Sequence, residues 1–269
     1  HYTETNIQPV IYNLSTLEKV QNHNISIHLE FDTGMHRLGF EKNNLDQILA
    51  IINSKPNINV VSIFSHLAGA DNPSLDKHTH KQINDFNGIC LEFEEKSKLK
   101  PLKHLANSAG IERFQEAKMN MVRLGIGLYG ISPSQVNTRL LPVSSFKSYI
   151  SQIRNIPAGE GVGYGYMEKA DYPRKIAVVA VGYADGYSRA FGCRVGSLLI
   201  NGQLAKVVGN VCMDMTMCDV TSISCSEEDE VIIFGDNPKV EELSQQINTI
   251  PYEILTNISE RVNRIFFQE

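Results

Sequence analysis

The sequence has no excess of basic residues and no long apolar run, and both absences argue against whole classes of protein. Lysine and arginine number 25, aspartate and glutamate 30, and the formal net charge is -5. Because binding to a phosphate backbone needs a basic face, nothing favours a nucleic-acid partner. The longest apolar run, residues 176–184, is about half as long as a bilayer span requires, so it predicts a buried strand and no membrane attachment.

Cysteine is sparse, and the chain does not open with a secretion signal. The five cysteines include no Cys-x-x-Cys pair. This argues against a disulfide framework and against a zinc site, so we expect no metal ion. The start at His1-Tyr2-Thr3 has no basic segment followed by an apolar stretch, and we predict a cytoplasmic protein. Since the sequence does not begin with methionine, we expect a cut chain.

The first half of the sequence alternates apolar strands with amphipathic helices. Strands are predicted at residues 10–12, 25–31, 60–64, 103–106 and 121–124, and helices at residues 16–21, 43–53, 76–98 and 108–115. The third helix places Ile83, Phe86, Cys90 and Phe93 on one face, at the spacing of an amphipathic helix. Strands and helices in this rhythm predict βαβ units and a parallel sheet.

From about residue 142 the pattern changes to strands separated by Gly, Asn and Asp turns. Strands are predicted around residues 148–156, 176–181, 195–200, 204–208 and 231–234, with one helix near residues 240–247. Asn201-Gly202 between two apolar runs predicts a tight hairpin. A chain of 269 residues is long enough for two domains. We predict a parallel α/β domain over residues 1–140 and a mainly antiparallel β domain over residues 141–269.

Four strand exits of the first domain carry unusual polar residues. These residues are Arg37, His66, the pair Asn107-Ser108, and Arg123. In parallel α/β barrels the reactive groups lie at the C-terminal ends of the strands, so we expect the four exits to converge on one pocket. The short polar side chains and the glycine amides after Arg123 suit an anionic group, because exposed backbone N–H groups bind phosphate well.

Each of these residues also has a plainer structural explanation. A lone arginine on a loop is more often a surface or ion-pair residue, and a lone histidine after a strand is more often buried and hydrogen-bonded. Asn-Ser before a helix is most often a cap. Their shared position at strand ends favours a site for a phosphate-bearing ligand, but the structural roles stay open as the alternative. Neither alternative identifies a reaction.

Eight segments of the sequence resemble, in the same order, segments of the alanine racemase family. In the first half they are DTGMHRLG at residues 32–39, FSHLA at residues 64–68 followed by Ala70-Asp71, ANSAG at residues 106–110 and VRLGIGLYG at residues 122–130. In the second half they are VGYG at residues 162–165, GYADG at residues 182–186, VCMD at residues 211–214 and PYE at residues 251–253. Any one could arise by chance, but eight in order are highly specific.

The resemblance implies a fold, a cofactor and a reaction. Residues 1–140 would be about the last five strands of a TIM-type (β/α)8 barrel that carries the cofactor site. Residues 141–269 would be a β domain that completes the active site of the neighbouring subunit in a homodimer. The cofactor would be pyridoxal 5'-phosphate and the substrate alanine. Acid–base groups on both faces of the cofactor would interconvert L- and D-alanine, supplying D-alanine for cell-wall peptidoglycan.

The resemblance also assigns catalytic and cofactor roles to individual residues. Tyr164 would be one of the two acid–base groups, and Arg123 would face the pyridine nitrogen of the cofactor. His66 would stand between Arg123 and the tyrosine supplied by the neighbouring subunit, and would assist its proton transfer. Arg37 would bind the phenolic oxygen of the cofactor and the carboxylate of the substrate.

Further residues would surround the phosphate or the substrate. The phosphate region would include Asn107, Ser108, Gly125, Ile126 and Tyr252. Met213 and Asp214 would approach the substrate from the neighbouring subunit, and Tyr183 would narrow the access channel. Tyr183 and Met213 could equally be core or interface residues, whereas Tyr164 between two glycines is harder to explain as packing.

The second acid–base group of the family is the lysine that binds the cofactor covalently, in a segment resembling KANAYGHG. This sequence has no such segment, and neither Lys55 nor Lys103 has that context. We expect the first three barrel strands to precede His1, so that this chain alone would not racemise alanine.

Two residues depart from the family pattern. Glu30 stands where many members have a carbamylated lysine that supports the equivalent of Arg37, and its native carboxylate could offer a comparable negative charge. Asn210 stands where the family often has an arginine ahead of the VCMD segment. We therefore expect the contacts that support the substrate entrance to differ from those of other family members.

Two other functional classes stay open. One is a pyridoxal-phosphate-binding regulatory protein or inactive homologue that kept the pocket without the lysine. The other is a fold-related pyridoxal enzyme, such as a decarboxylase of bulkier amino acids. The VCMD and GYADG segments argue against the decarboxylase.

Overall fold

The computed structural model describes residues 7–20, 22–136 and 139–267, which fall into two compact units. The first unit is His1–Leu141 and the second is Pro142–Glu269. The predictions that concern His1-Tyr2-Thr3 and the end of the first helix at Gln21 lie outside the described residues. Within the described ranges, no helix has the length and apolar character needed to cross a membrane.

The first unit is built on a parallel sheet of four strands. The strands are β1 (Val10–Ile11), β2 (Ile25–Glu30), β3 (Ile58–Phe64) and β4 (Leu102–His104), and they lie side by side in chain order. The helices between them are α1 (Leu14–Val20), α2 (Leu45–Ser54) and α3 (Asp76–Ser97), and α4 (Ser108–Arg113) follows β4. Parallel neighbours need crossover connections, which these helices supply. The predicted parallel α/β arrangement is confirmed.

One apolar core joins the sheet to its helices. Ile25, Ile27 and Leu29 alternate along β2 and belong to the same buried cluster as residues of α2 and α3. The four predicted core positions of α3 are all buried, namely Ile83, Phe86, Cys90 and Phe93. Since side chains alternate along a strand, His28 and Glu30 of β2 point to the opposite face of the sheet. That face carries the polar residues described below.

The strand predicted at residues 121–124 is wrong. Met121 alone pairs with His104, in a single parallel bridge, and a 3-10 helix begins at Ile126. The backbone N–H groups of Gly125 and Gly127 donate to the Ser108 hydroxyl. They are therefore held by a side chain and not by a neighbouring strand.

The second unit is built on an antiparallel sheet of six strands. The strands are β5 (Phe146–Ile156), β6 (Arg174–Val179), β7 (Ser197–Ile200), β8 (Gln203–Lys206), β9 (Thr216–Asp219) and β10 (Glu230–Phe234). In space their order is β8, β7, β10, β5, β6, β9, and each pairing is antiparallel. The predicted antiparallel β domain is confirmed.

The second unit confirms one local prediction and corrects two others. Asn201 and Gly202, with φ of +47° and +78°, form the predicted tight turn between β7 and β8, because paired positive φ angles match the twist of a hairpin. The prediction of one helix is wrong, since α5 (Val240–Gln246) is followed by α6 (Pro251–Thr256). Strand β9 was also missed, because its run of buried residues shows no alternation of apolar and polar side chains.

Candidate active site

The loop after β2 is shaped by Asp32 and carries Arg37 at the surface. Asp32 Oδ1 accepts hydrogen bonds from the backbone N–H groups of residues 34–36 at 2.8 to 3.0 Å. Gly39 has φ of +123°, and a Cβ at this position would lie 2.5 Å from the backbone nitrogen of Asp32. Glycine is therefore required where the loop returns to the sheet. Arg37 is exposed in this loop.

Glu30, the last residue of β2, lies within electrostatic range of two of the predicted site arginines. It is only 8% exposed. Burial raises the pKa of its carboxyl group, whereas the positive charges of Arg37 and Arg123 lower it. The structure therefore brings Glu30, Arg37 and Arg123 into one electrostatic group at the carboxyl ends of the strands.

His66 follows β3 in a loop that is fixed by a buried glutamine. Gln82, from α3, donates to the carbonyl oxygen of His66 at 3.0 Å and accepts from the backbone N–H of Ala68 at 2.9 Å. Burial, and then the charges of Arg123 and Arg37, lower the pKa of His66 to about 4. His66 is therefore a neutral imidazole near pH 7, able to accept a hydrogen bond as well as to donate one.

Arg123 is the most extensively bonded of the predicted residues. Its guanidinium donates to the carbonyl oxygens of Ser65 at 2.7 Å and Leu105 at 3.2 Å. It contacts His66 Nδ1 at 3.5 Å and lies 5.1 Å from the centre of the Phe64 ring. Burial lowers the pKa of Arg123, but arginine retains its proton in proteins. The result is a fixed cation beside a neutral histidine.

The predicted phosphate residues of the first unit lie on two segments that the Ser108 side chain joins. Ser108 Oγ accepts hydrogen bonds from the N–H groups of Gly125 at 2.9 Å and Gly127 at 3.2 Å, with Ile126 buried between them. Asn107 caps α4, since its side-chain oxygen accepts from the backbone N–H three residues later at 3.0 Å. The cap explanation therefore holds for Asn107.

In the second unit, Tyr164 lies on an exposed turn between glycines of positive φ. Gly163 and Gly165 have φ of +72° and +78°, and Tyr164 is 73% exposed. The side-chain N–H of Asn210 donates to the carbonyl oxygen of Tyr164 at 3.1 Å, and Asn210 accepts from Arg189 at 3.2 Å. Asn210 therefore ties the tyrosine turn to a second segment.

Tyr183, Met213 and Asp214 lie on two loops that pack closely together. The N–H of Tyr183 donates to the carbonyl oxygen of Cys212 at 3.0 Å. A Cβ on Gly182 would lie 2.3 Å from the carbonyl oxygen of Met213, so this approach requires glycine. Tyr183 and Met213 are 45% and 53% exposed, which excludes a core role for either within this chain.

Arg261 joins the same two loops. It donates to Asp185 Oδ1 at 2.8 Å and also to Asp214, while Asp185 accepts from the N–H of Gly182 at 2.8 Å. Tyr252 is half-exposed on α6. The first unit thus carries the predicted Arg37, His66, Asn107, Ser108, Arg123, Gly125 and Ile126, and the second carries Tyr164, Tyr183, Met213, Asp214 and Tyr252.

Both units match family models. A model described as "Alanine racemase, N-terminal domain" matches residues 1–133, and one described as "Alanine racemase, C-terminal domain" matches residues 143–266. The chain belongs to the alanine racemase family. The family resemblance inferred from the eight segments is confirmed, and the relatives of this chain are racemases, a class of isomerase.

Individual relatives and solved structures agree with this assignment. The alanine racemase of Clostridium tetani is 37% identical over 98% of this chain and 72% of its own length. That of Methanococcus maripaludis is 38% identical, over 93% of this chain and 68% of its own length.

Among solved structures, the alanine racemase from Streptomyces coelicolor has a TM-score of 0.92 at 26% identity, over 100% of this chain and 74% of that one. The alanine racemase from Bartonella henselae with covalently bound pyridoxal phosphate has a TM-score of 0.90 at 29% identity, over 99% of this chain and 75% of that one. The predicted fold, a TIM-type barrel part followed by a β domain, is confirmed.

Several residues bonded to the predicted site residues, or to their loops, were not singled out from the sequence. His104 ends β4, as His66 follows β3, so the strand-exit argument could have found it. Ser62 lies inside β3 and resembles an ordinary strand residue. Arg261 belongs to no motif that we recognised, and its two carboxylate partners become visible only in the folded chain. Within the described ranges, no three His, Cys, Asp or Glu side chains are grouped as metal ligands would be.

Proposed function

We propose that the protein containing this chain interconverts L- and D-alanine with pyridoxal 5'-phosphate as its cofactor. The observation that carries the proposal is the fixed Arg123 guanidinium beside the neutral His66, in a chain of the alanine racemase family. The structure of the Bartonella henselae alanine racemase with covalently bound pyridoxal phosphate supports the same cofactor here.

The residues of the first unit fit an anionic cofactor and an anionic substrate. Ser108 and the glycine turn that donates to it at 2.9 and 3.2 Å provide a polar surface that a phosphate can approach closely, because glycine has no side chain. We assign Asn107, Ser108, Gly125 and Ile126 to the phosphate, and the family resemblance adds Tyr252 of the second unit. Arg37 would bind the phenolic oxygen of the cofactor and the substrate carboxylate, with Glu30 supporting it by its negative charge.

Arg123 would face the pyridine nitrogen. Since a guanidinium keeps its proton, Arg123 would donate a hydrogen bond to that nitrogen and would not protonate it. The cofactor, when bound, draws electrons from the α-carbon of the substrate, and this arginine limits how far it does so. Side reactions that need a stronger electron sink are thereby disfavoured.

Racemisation needs proton transfer on both faces of the substrate. Tyr164, supplied by a second copy in a homodimer, would remove or return the α proton at its phenolic oxygen on one face, with His66 linking it to Arg123. A lysine from outside the printed residues would act on the other face. Met213, Asp214 and Tyr183 would line the substrate side. The product would be D-alanine made in the cytoplasm for peptidoglycan.

The test uses the complete polypeptide of the reading frame, loaded with pyridoxal 5'-phosphate. It should form D-alanine from L-alanine, and Tyr164→Phe should lower kcat at least about 100-fold, because a positioned acid–base group contributes that much. Tyr166→Phe is the matched control, since this neighbouring hydroxyl is bonded to Glu160 and should change kcat less than about threefold.

The outcomes separate the candidate functions. A complete polypeptide that binds the cofactor but forms no D-alanine overturns the racemase proposal. It would favour the second candidate, a pyridoxal-phosphate-binding regulatory protein. We also propose that the printed chain alone is inactive, and robust turnover by it would overturn that part.

A further inference from the structure

A continuous chain of hydrogen bonds leads away from Arg123 across the polar face of the parallel sheet. Arg123 Nη1 contacts His104 Nδ1, and His104 Nε2 lies 3.0 Å from Ser62 Oγ. Ser62 Oγ lies 2.6 Å from His28 Nδ1, and His28 Nε2 lies 3.0 Å from Gln8 Oε1. We call these five residues the Arg123 relay.

The strand register explains why these side chains meet. His28 of β2 is paired with Ser62 of β3, and His104 of β4 is paired with Phe64, two positions further along β3. Residues two apart share a face of a strand, so the three polar side chains share one face of the sheet. The centre is dry, because Ser62 is 0% and His104 4% exposed. Polar groups buried in this way are costly unless hydrogen-bonded.

The Arg123 guanidinium, at one end of the relay, determines which atom donates and which accepts in each hydrogen bond of the relay. An arginine can only donate, so His104 Nδ1 must be an acceptor and the proton of the neutral ring is on Nε2. His104 then donates to Ser62, whose own proton is free to bond to His28 Nδ1. His28 consequently carries its proton on Nε2 and donates to the oxygen of Gln8. Burial lowers the pKa of His104 to about 4. Burial also lowers the pKa of His28 below its usual value, so both rings are neutral near pH 7.

We propose that the Arg123 relay fixes the tautomer of His104 and thereby holds the Arg123 guanidinium in place, making Ser62 and His28 positioning residues for the reaction proposed above. This inference rests on the proposed function for its catalytic meaning. The hydrogen-bond partners described for Arg123 are imidazoles and carbonyl oxygens, which are neutral. The positive charge is oriented without being neutralised by a directly bonded carboxylate, and it is available to a ligand.

Loss of the Ser62 hydroxyl should release this constraint. His104 Nε2–H would lose its buried acceptor, and the other tautomer would become accessible. In that tautomer an N–H on Nδ1 faces the N–H groups of Arg123, so the guanidinium must move. Ser62→Thr keeps a hydroxyl on the same strand and should preserve the relay. Ser26→Ala is the matched control, because the hydroxyl of this β2 serine accepts a hydrogen bond from Asn59 and is not part of the Arg123 relay.

The experiment measures the histidine tautomers by ¹⁵N NMR and the affinity for pyridoxal 5'-phosphate by titration, both on the complete polypeptide. His104 in the unchanged chain and in the Ser62→Thr and Ser26→Ala variants should carry its proton on Nε2. Ser62→Ala should populate the Nδ1–H form and weaken cofactor binding about threefold to tenfold, the effect of one buried hydrogen bond. His28→Leu, at a half-buried position, should shift the same tautomer equilibrium to a smaller extent.

The outcomes distinguish this inference from the proposed function. If the complete polypeptide without substitutions does not bind pyridoxal 5'-phosphate, the cofactor assignment fails, while the NMR measurement still decides whether the relay exists. An Nδ1–H tautomer of His104 in the unchanged chain overturns the relay, as does an unchanged tautomer in Ser62→Ala. If Ser62→Ala does not fold, His28→Leu decides in its place, and an unshifted His104 in that variant overturns the proposal.

Discussion

The two units of this protein hold their candidate site residues in different ways. In the first, Arg123 is fixed by hydrogen bonds to two strand-end carbonyl oxygens and to imidazoles. In the second, Tyr164 and Met213 are 73% and 53% exposed, on loops shaped by glycines. A buried group that loses its partner stays unsatisfied, whereas an exposed one bonds to water. Substitutions at these residues of the first unit should therefore reduce both stability and function. Substitutions at those of the second unit should chiefly reduce function.

Arg123→Met should give the largest effect. It leaves the carbonyl oxygens of Ser65 and Leu105 without a donor in a buried place and removes the cation proposed to face the cofactor. We expect a loss of about 3 kcal/mol or more in the free energy of unfolding and cofactor binding weakened at least about 100-fold. Denaturant unfolding and cofactor titration measure the two effects.

Arg194→Met is the control from the second unit. Arg194 forms an ion pair with Glu168 at 3.0 Å with its side chain half exposed, and such pairs contribute at most about 1 kcal/mol. If both arginine variants lose equal stability, the contrast between the two units is wrong.

Acid should destabilise the first unit through its neutral histidines. The pKa of His104 is lowered from 6.5 to about 4 by burial in the folded protein. Between those pH values the unfolded chain binds more protons than the folded chain, so stability falls as pH falls through this window. The loss for His104 approaches about 3 kcal/mol.

Unfolding curves of this chain and of His104→Gln, measured from pH 7 to pH 4, check this expectation. The variant should be less stable at pH 7, because the relay is broken, but its stability should depend less on pH. A variant curve with the same slope as the parent curve would contradict the assignment to His104.

Asn210→Asp should give the smallest effect, and one confined to function. The carboxylate still accepts from Arg189 but cannot donate to the carbonyl oxygen of Tyr164. We expect kcat of the complete enzyme to fall about threefold to tenfold, with the free energy of unfolding changed by less than about 0.5 kcal/mol. Arg189→Gln, which leaves the bond to Tyr164 intact, should lower kcat less. Equal kcat for both variants and the parent would show that this tie does not position the tyrosine.

Features that depend on local spacing could be predicted from the sequence. The buried face of α3 follows from the positions of Ile83, Phe86, Cys90 and Phe93, and the β7–β8 turn follows from Asn201-Gly202. In both cases neighbours in sequence decide the conformation. The strand exit at His66 could be predicted for the same reason, since the end of an apolar run marks the end of a strand.

Features that depend on register or on distant partners could not be predicted. The bond between His28 and Ser62 requires the β2–β3 register, which shifts at an irregularity between Ile27 and His28, and nothing in either strand shows that shift. The predicted strand at residues 121–124 failed because Ser108, distant in sequence, binds the amides of the following glycine turn. These are tertiary effects that override a local pattern.

The bonds of Arg261 give the C-terminal segment a role that its irregular backbone would not suggest. This residue follows α6, yet it donates hydrogen bonds to both Asp185 and Asp214. These two residues belong to loops that lie before β7 and after β8 in the chain. A polypeptide trimmed ahead of residue 261 would keep every strand of the second unit and lose the brace between the loops carrying Tyr183 and Met213. Segments of irregular backbone often tolerate truncation, but this one joins the two loops that carry Tyr183 and Met213.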